Sequence, residues 1–128
     1  MRILLDTHIL LWAIEDDPAL SRKARRILSD ADNECLFSPI SMAEIAIKHT
    51  LRPDAMPWTP DEVHEALLEA GYEELPYRSA HAEALCDLPP LHKDPFDRML
   101  VAQAKCEQTA FMSHDDLVAG YGDTIIRV

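Results

Sequence analysis

The sequence is short of the residues that hold nucleic acid by charge: 12 Lys and Arg stand against 23 Asp and Glu, a formal net charge of −11. Phosphate binding rests on Lys and Arg, so a protein that grips nucleic acid through basic charge alone is excluded. Cysteine is scarce as well. Cys35, Cys86 and Cys106 are odd in number and widely spaced, which fits neither a disulfide framework nor a zinc knuckle. They read as buried free thiols suited to a reducing cytoplasm. Long apolar runs are missing: the longest runs from Ile9 to Ile14, far below the ~20 residues of a membrane helix. The opening Met1-Arg2-Ile3-Leu4-Leu5-Asp6 meets an acid too early for a signal peptide. No repeat, linker or low-complexity segment is visible.

What is present suffices for a core. The 128 residues are 48% apolar, and a chain of this size buries roughly two-thirds of its unfolded surface. One domain over residues 1–128 is expected. Ile3-Leu4-Leu5 is short and fully apolar and ends at Asp6, as a buried strand of a parallel sheet would. A helix follows from His8 to Ile14, closed at Asp16-Asp17-Pro18, and Ser21 caps a second that runs to about Ala31. Cys35-Leu36-Phe37 reads as a strand, and Ser41 opens a helix to Thr50. Thr59-Pro60 starts the next, ended by Gly71, and Glu73-Glu74-Leu75 is a weak strand. Ser79 to Cys86 is helical, Asp94-Pro95 begins a helix through Glu107, and Ala110-Phe111-Met112 and Thr124-Ile125-Ile126 are strands. Strands alternating with helices indicate parallel βαβ units, here a small parallel sheet with helices on both faces.

In such a sheet the strand carboxyl ends and the amino ends of the crossover helices share one edge, where open α/β sheets bind ligands. Asp6 ends the first strand, Asp115 follows the strand Ala110 to Met112, and Glu44 and Asp97 fall in the first turns of their helices. All four belong to that rim. Each helix acid also has a structural reading. Ser41-Met42-Ala43-Glu44 matches a capping box, Asp94 before Pro95 is a natural N-cap that Asp97 can complete, and Asp115-Asp116 suits a turn before a short last helix. Asp6 is harder to explain away, because a carboxylate ending a buried strand is expensive to leave uncompensated. Caps account for these acids singly but not for four on one edge. Clustered like charges call for a cation, and all-oxygen ligands suit Mg2+ or Mn2+ rather than zinc. Such ions activate water against a phosphodiester.

At these residues the chain resembles the PIN-domain ribonucleases, especially the VapC-type toxins of bacterial toxin–antitoxin pairs. The matching stretches are LLDTHILLWA at 4–13, SPISMAEIAIK at 38–48, LPPLHKDPFDRMLVAQA at 88–104 and SHDD at 113–116, in family order and spacing over almost the whole chain. The resemblance implies a three-layer α/β/α fold with a five-stranded parallel sheet, and metal-holding acids at Asp6, Glu44, Asp97 and Asp115. Ser113 would help beside the last, and Asp94 would support the site. It further implies Mg2+-dependent endonuclease action on RNA, a homodimer, and a small inhibitory antitoxin as partner. The chain departs from the family pattern at His114, where a small residue is common, and at Pro53, where a Gly-containing turn is usual.

Arg22, Lys23, Arg25 and Arg26 form the one basic cluster, read either as a solvated helix face or as a docking strip. Arg98 can face substrate phosphate or form a helix-surface ion pair. His8, His92 and His114 lack metal-ligand spacing and are not selected as ligands, and Trp12 and Met99-Leu100-Val101 read as core. Among rivals, an aspartyl-phosphate phosphatase wants a second Asp where His8 stands. A metallophosphoesterase wants a Gly-Asn-His segment that is absent, and an acidic-pocket receiver module wants a paired acid beside Asp6.

Overall fold

The computed structural model describes residues 1–128. Five strands form one all-parallel sheet: β1 (Arg2–Leu5), β2 (Glu34–Phe37), β3 (Glu73–Glu74), β4 (Ala110–Ser113) and β5 (Ile125–Arg127), in the order β3-β2-β1-β4-β5. Seven helices connect and cover it: α1 (Thr7–Glu15), α2 (Arg22–Leu28), α3 (Pro39–Leu51), α4 (Pro60–Glu69), α5 (Ser79–Glu83), α6 (Pro95–Glu107) and α7 (Asp116–Ala119). A 3-10 turn, Ala84–Asp87, follows α5.

Strand side chains alternate between faces, and this divides the core in two. Ile3, Leu5, Cys35, Phe37 and Met112 pack with Ile9 and Leu10 of α1, Ala24 of α2, Ile45 of α3 and Val63 and Leu67 of α4. Leu4, Leu36 and Phe111 pack on the other face with Leu100, Val101 and Ala104 of α6 and with Val118 and Tyr121. The result is the expected three-layer α/β/α arrangement. Strands covered on both sides must be apolar throughout, which is why Ile3-Leu4-Leu5 is fully buried. Each such side chain contributes ~1.5–3 kcal/mol.

Several boundaries differ from the sequence reading. Helix α3 begins at Pro39 with Ser38 as its N-cap, because a serine oxygen bonded to the Ile40 N–H and a proline in the first turn make the stronger start. Ser41 is therefore inside the helix, and its buried hydroxyl accepts a hydrogen bond from Thr7 at 2.8 Å. Helix α2 stops at Leu28, with its last turn closed by Ser29. Of the three thiols only Cys35 is buried; Cys86 and Cys106 are exposed, since they lie on the outer sides of their elements. The chain builds outward from β1 to β3 on one side and then returns to place β4 and β5 on the other. The switch point lies between the carboxyl ends of β1 and β4, where open α/β sheets form a ligand crevice.

Candidate metal centre

Asp6 follows β1 directly and caps α1. Its backbone N–H extends the sheet by donating to Met112 O, and its Oδ1 accepts from the His8 N–H at 2.9 Å. Across the switch point Ser113 Oγ donates to Asp6 Oδ2 at 2.7 Å and accepts the Asp115 N–H at 3.1 Å. Ser113 thus locks the two acids of adjacent strand ends together. Burial pushes the Asp6 carboxyl up, but the His8 ring, the Ser113 hydroxyl and the His8 N–H outweigh it and hold its pKa below the usual range.

Glu44 stands in the second turn of α3, not the first, so it cannot complete a cap; the expected capping box with Ser41 is absent because Ser38 starts the helix. Its side chain is 3% exposed. Oε2 accepts from Lys48 Nζ one turn on, at 2.6 Å, while Oε1 is buried without any hydrogen-bond partner. A buried carboxylate oxygen left bare costs free energy unless something not yet present satisfies it. Burial works against the Lys48 charge, yet the bond to Glu44 and the attraction of Glu44, Asp94 and Asp97 keep the ammonium pKa above its ordinary value.

Asp94 caps α6, accepting the Phe96 N–H at 2.8 Å and the Asp97 N–H at 3.3 Å. Asp97, in the first turn, has no donor of its own to hold its charge. Burial, followed by repulsion from Asp6, Asp94 and Glu44, pushes its pKa up to about 7. Asp6, Asp94 and Glu44 thus lie within electrostatic reach of Asp97. Asp115 caps α7 through the Leu117 N–H at 2.8 Å and accepts from His92 Nε2 at 2.8 Å. Burial raises its pKa, but His92 and the Leu117 N–H outweigh this and lower it. Exposure grades the site: Asp6 (2%) and Glu44 (3%) form the floor, while Asp97 (14%) and Asp115 (32%) form the mouth.

His92 is the residue that sequence reasoning passed over. Its Nε2 lies 2.8 Å from Asp115 Oδ2 and 3.3 Å from Asp97 Oδ2. The three residues bring ligand atoms within 4.8 Å of one another. Nδ1 accepts the Asp94 N–H at 2.9 Å, so in the neutral ring the proton sits on Nε2 and points at the acids. Burial lowers the imidazole pKa, but Asp115, Asp97 and Asp94 outweigh it and raise it. The available signal was position: two residues before an N-cap aspartate, a ring nitrogen can reach the cap's own N–H. Arg98, by contrast, forms no ion pair with the acids. Its guanidinium donates to Pro89 O at 3.0 Å and contacts Tyr121 Oη at 3.3 Å, pinning the loop before α6. His114 and His8 flank the site with Trp12, the His114 and Trp12 ring centres 4.7 Å apart.

A sequence profile of the PIN domain matches residues 3–121. The chain belongs to the PIN-domain family. PIN domains are nucleases, so the family assigns phosphodiester hydrolysis to this chain. No curated protein sequence is detectably similar to it. Among solved structures this PIN domain is similar to a chain of VapBC2 from Rickettsia felis, crystallised bound to a DNA fragment from their promoter. The TM-score is 0.69 at 15% identity, over 100% of this chain and 98% of the other. It is also similar to a chain of FitAcB from Neisseria gonorrhoeae, with a TM-score of 0.62 at 20% identity, over 98% and 96%. At such identities the likeness speaks for the fold. No helix is long and apolar enough to cross a membrane.

PIN nucleases use divalent metal, and the residues here fit one. The donors are carboxylate oxygens, one of them the bare, buried Glu44 Oε1. The Asp97 carboxyl resists charge because it is buried and faces other acids, with only His92 to offset them. A hard cation meets both needs.

Proposed function

We propose that residues 1–128 act as one nuclease domain, a Mg2+-dependent endoribonuclease that also accepts Mn2+, the toxin of a type II toxin–antitoxin pair. Asp6, Glu44, Asp97 and Asp115 are the proposed metal-holding and catalytic set. The observation that supports this reading is the run of contacts Asp6–Ser113–Asp115–His92–Asp97 at strand and helix ends, with Glu44 Oε1 buried and unpartnered. Bound there, the ion supplies charge neutralisation and Lewis-acid polarisation of a phosphodiester.

The chain's own groups prepare that role. Ser113 and the His8 N–H keep Asp6 ionised and oriented. Lys48 fixes one Glu44 oxygen and thereby turns the other free. His92 holds Asp115 and approaches Asp97, so two acids on separate elements are brought together before any ion arrives. The antitoxin partner and the homodimer follow from the resemblance carried by the four motifs, and a cytoplasmic setting from the free thiols; the fold shared with the VapBC2 and FitAcB chains supports the antitoxin partner.

The test is cleavage of RNA by purified protein in Mg2+ or Mn2+, its arrest by EDTA, and its loss in Asp6→Asn and Asp97→Asn variants that keep the parent's circular dichroism. Full activity in a folded double Asn variant overturns the carboxylate mechanism. Expression alone should slow growth and expression with the native inhibitor should restore it, and light scattering should give twice the chain mass. A monomer, or a chain harmless at high expression while active in vitro, removes the toxin part of the reading.

A further inference from the structure

Beside the acidic centre lies a cleft of about 410 Å³, lined by His8, Lys48, Leu51, Arg52, Ala55 and Met56. Its volume falls in the ~300–1,000 Å³ range of small-ligand pockets. Two of its lining side chains touch the floor of that centre. His8 Nδ1 is 3.8 Å from Asp6 Oδ1, and Lys48 Nζ is 2.6 Å from Glu44 Oε2. Its chemistry differs from the centre's. Leu51, Ala55 and Met56 are apolar, the His8 side chain is 51% exposed, and Arg52 supplies a positive group beside the Lys48 ammonium, which Glu44 already pairs on one side. Arg52 forms no ion pair, whereas Arg2, Arg25 and Arg127 each pair with an acid.

Two features show that the cleft is shaped in advance. The His8 ring is braced by Trp12, at 5.9 Å between ring centres, and by His114, at 5.7 Å. The loop after α3, which contains Pro53, folds back on itself. The Ala55 and Met56 N–H groups both bond to Arg52 O, and His49 Nδ1 holds Met56 O at 2.8 Å. Leu51 is left 75% exposed at the cleft's edge. An apolar floor with an aromatic ring suits the faces of a base, and two cations suit its phosphate.

We propose that this cleft seats one unpaired nucleotide of the RNA substrate next to the scissile phosphate, with its base against His8, Leu51 and Met56 and its phosphate between Lys48 and Arg52. The inference rests on the nuclease reading above and adds what selects the cut. A base in a duplex cannot enter, so the substrate is single-stranded at that step. Base preference arises at one fixed position beside the cut.

The experiment compares the parent with a Leu51→Ser/Arg52→Ala variant and with Ala55→Trp, which fills the cleft; these positions are exposed and outside the acidic set. Substrates are an intact single-stranded RNA and copies with one abasic site stepped across the cut. In the parent, one abasic position should raise KM about tenfold, the scale of a lost stacking contact. Both variants should raise KM on intact RNA by a similar factor, keep Mg2+-dependent cleavage, and show no further penalty at that abasic position. Parent-like KM in both variants, or an abasic penalty undiminished in them, overturns the proposal. If no protein cleaves RNA, the nuclease reading is what fails. The same abasic series read by fluorescence anisotropy of the labelled RNA then tests the cleft on its own: equal affinity for intact and abasic RNA rejects it. Variants that bind RNA as the parent does but lose affinity for the inhibitory protein would assign the cleft to that partner instead, which also overturns it.

Discussion

The β1–α1 junction and the first turn of α6 each deliver one carboxylate to the same centre, and burial has opposite outcomes at the two. Asp6 is almost fully enclosed, yet its pKa is lowered; Asp97 is less enclosed, yet its pKa rises to about 7. The difference is the supply of donors. Ser113 and the His8 N–H point at Asp6, whereas Asp97 faces Asp6, Asp94 and Glu44, with only the His92 imidazole to offset them. Burial raises both acids; whether it prevails is decided by the groups aimed at each. Asp6 is held ionised by its donors, whereas Asp97 keeps its proton up to about pH 7.

The largest effect should come from removing either acid. Asp6→Asn and Asp97→Asn should each cut metal-dependent RNA cleavage by more than ~100-fold, since even residues that merely support metal ligands are worth 10–100-fold. Steady-state rates in Mg2+ measure this. Activity equal to the parent's in both variants would remove the centre.

The comparison sharpens in stability. The Asp97 pKa is raised in the folded state, from 3.8 to about 7. Below pH ~4 the group is protonated in both states and costs nothing. As pH rises towards 7 the unfolded chain gives up a proton that the folded chain keeps, so the parent loses stability through this window. Asp97→Asn should therefore be the more stable protein in EDTA above pH 7, by a few kcal/mol at ~1.4 kcal/mol per pKa unit, and should match the parent near pH 4. Mg2+ at 100 times its dissociation constant should restore ~2.7 kcal/mol to the parent and much less to the variant. Urea melts at several pH values, with EDTA and with Mg2+, read both. An Asn variant less stable at pH 8 in EDTA would make Asp97 a helix-start residue first.

Asp6 should behave in the reverse sense. Its folded pKa is lowered, so its contribution is present above the ordinary carboxylate range and is lost as pH falls through the folded value. Ser113→Ala removes a charge-assisted hydrogen bond and should cost ~1.5–3 kcal/mol at neutral pH. It should also raise the Asp6 pKa in a carboxyl NMR titration. An unmoved pKa would mean that the hydroxyl does not hold the charge.

The smallest effect should be on the basic cluster. Arg25 is bound to Leu20 O, Asp16 and Asp17 O, and Lys23 reaches Arg127 O. Only Arg22 and Arg26 stand free. Arg22→Ala/Arg26→Ala should shift stability by no more than ~0.5 kcal/mol and leave RNA cleavage at the parent's rate. A loss of inhibitor affinity alone would make the pair a docking strip.

Local pattern was enough for much of this protein. The apolar triplet Ile3-Leu4-Leu5, the alternation of strands and helices, and the Asp94-Pro95 start determined the layered fold. They also placed Asp6, Asp97 and Asp115 on one edge, because strand ends and helix starts coincide there in any parallel sheet. What sequence distance hides was decided by tertiary structure. Ser38 rather than Ser41 begins α3, which moves Glu44 out of a cap and leaves one of its oxygens bare. His92 meets Asp115 across 23 positions and Ser113 meets Asp6 across 107, contacts that no local spacing announces. Charge state follows the same division. The sequence determines which groups can ionise, but the donors and acids packed around each, brought from distant elements, decide at what pH they do.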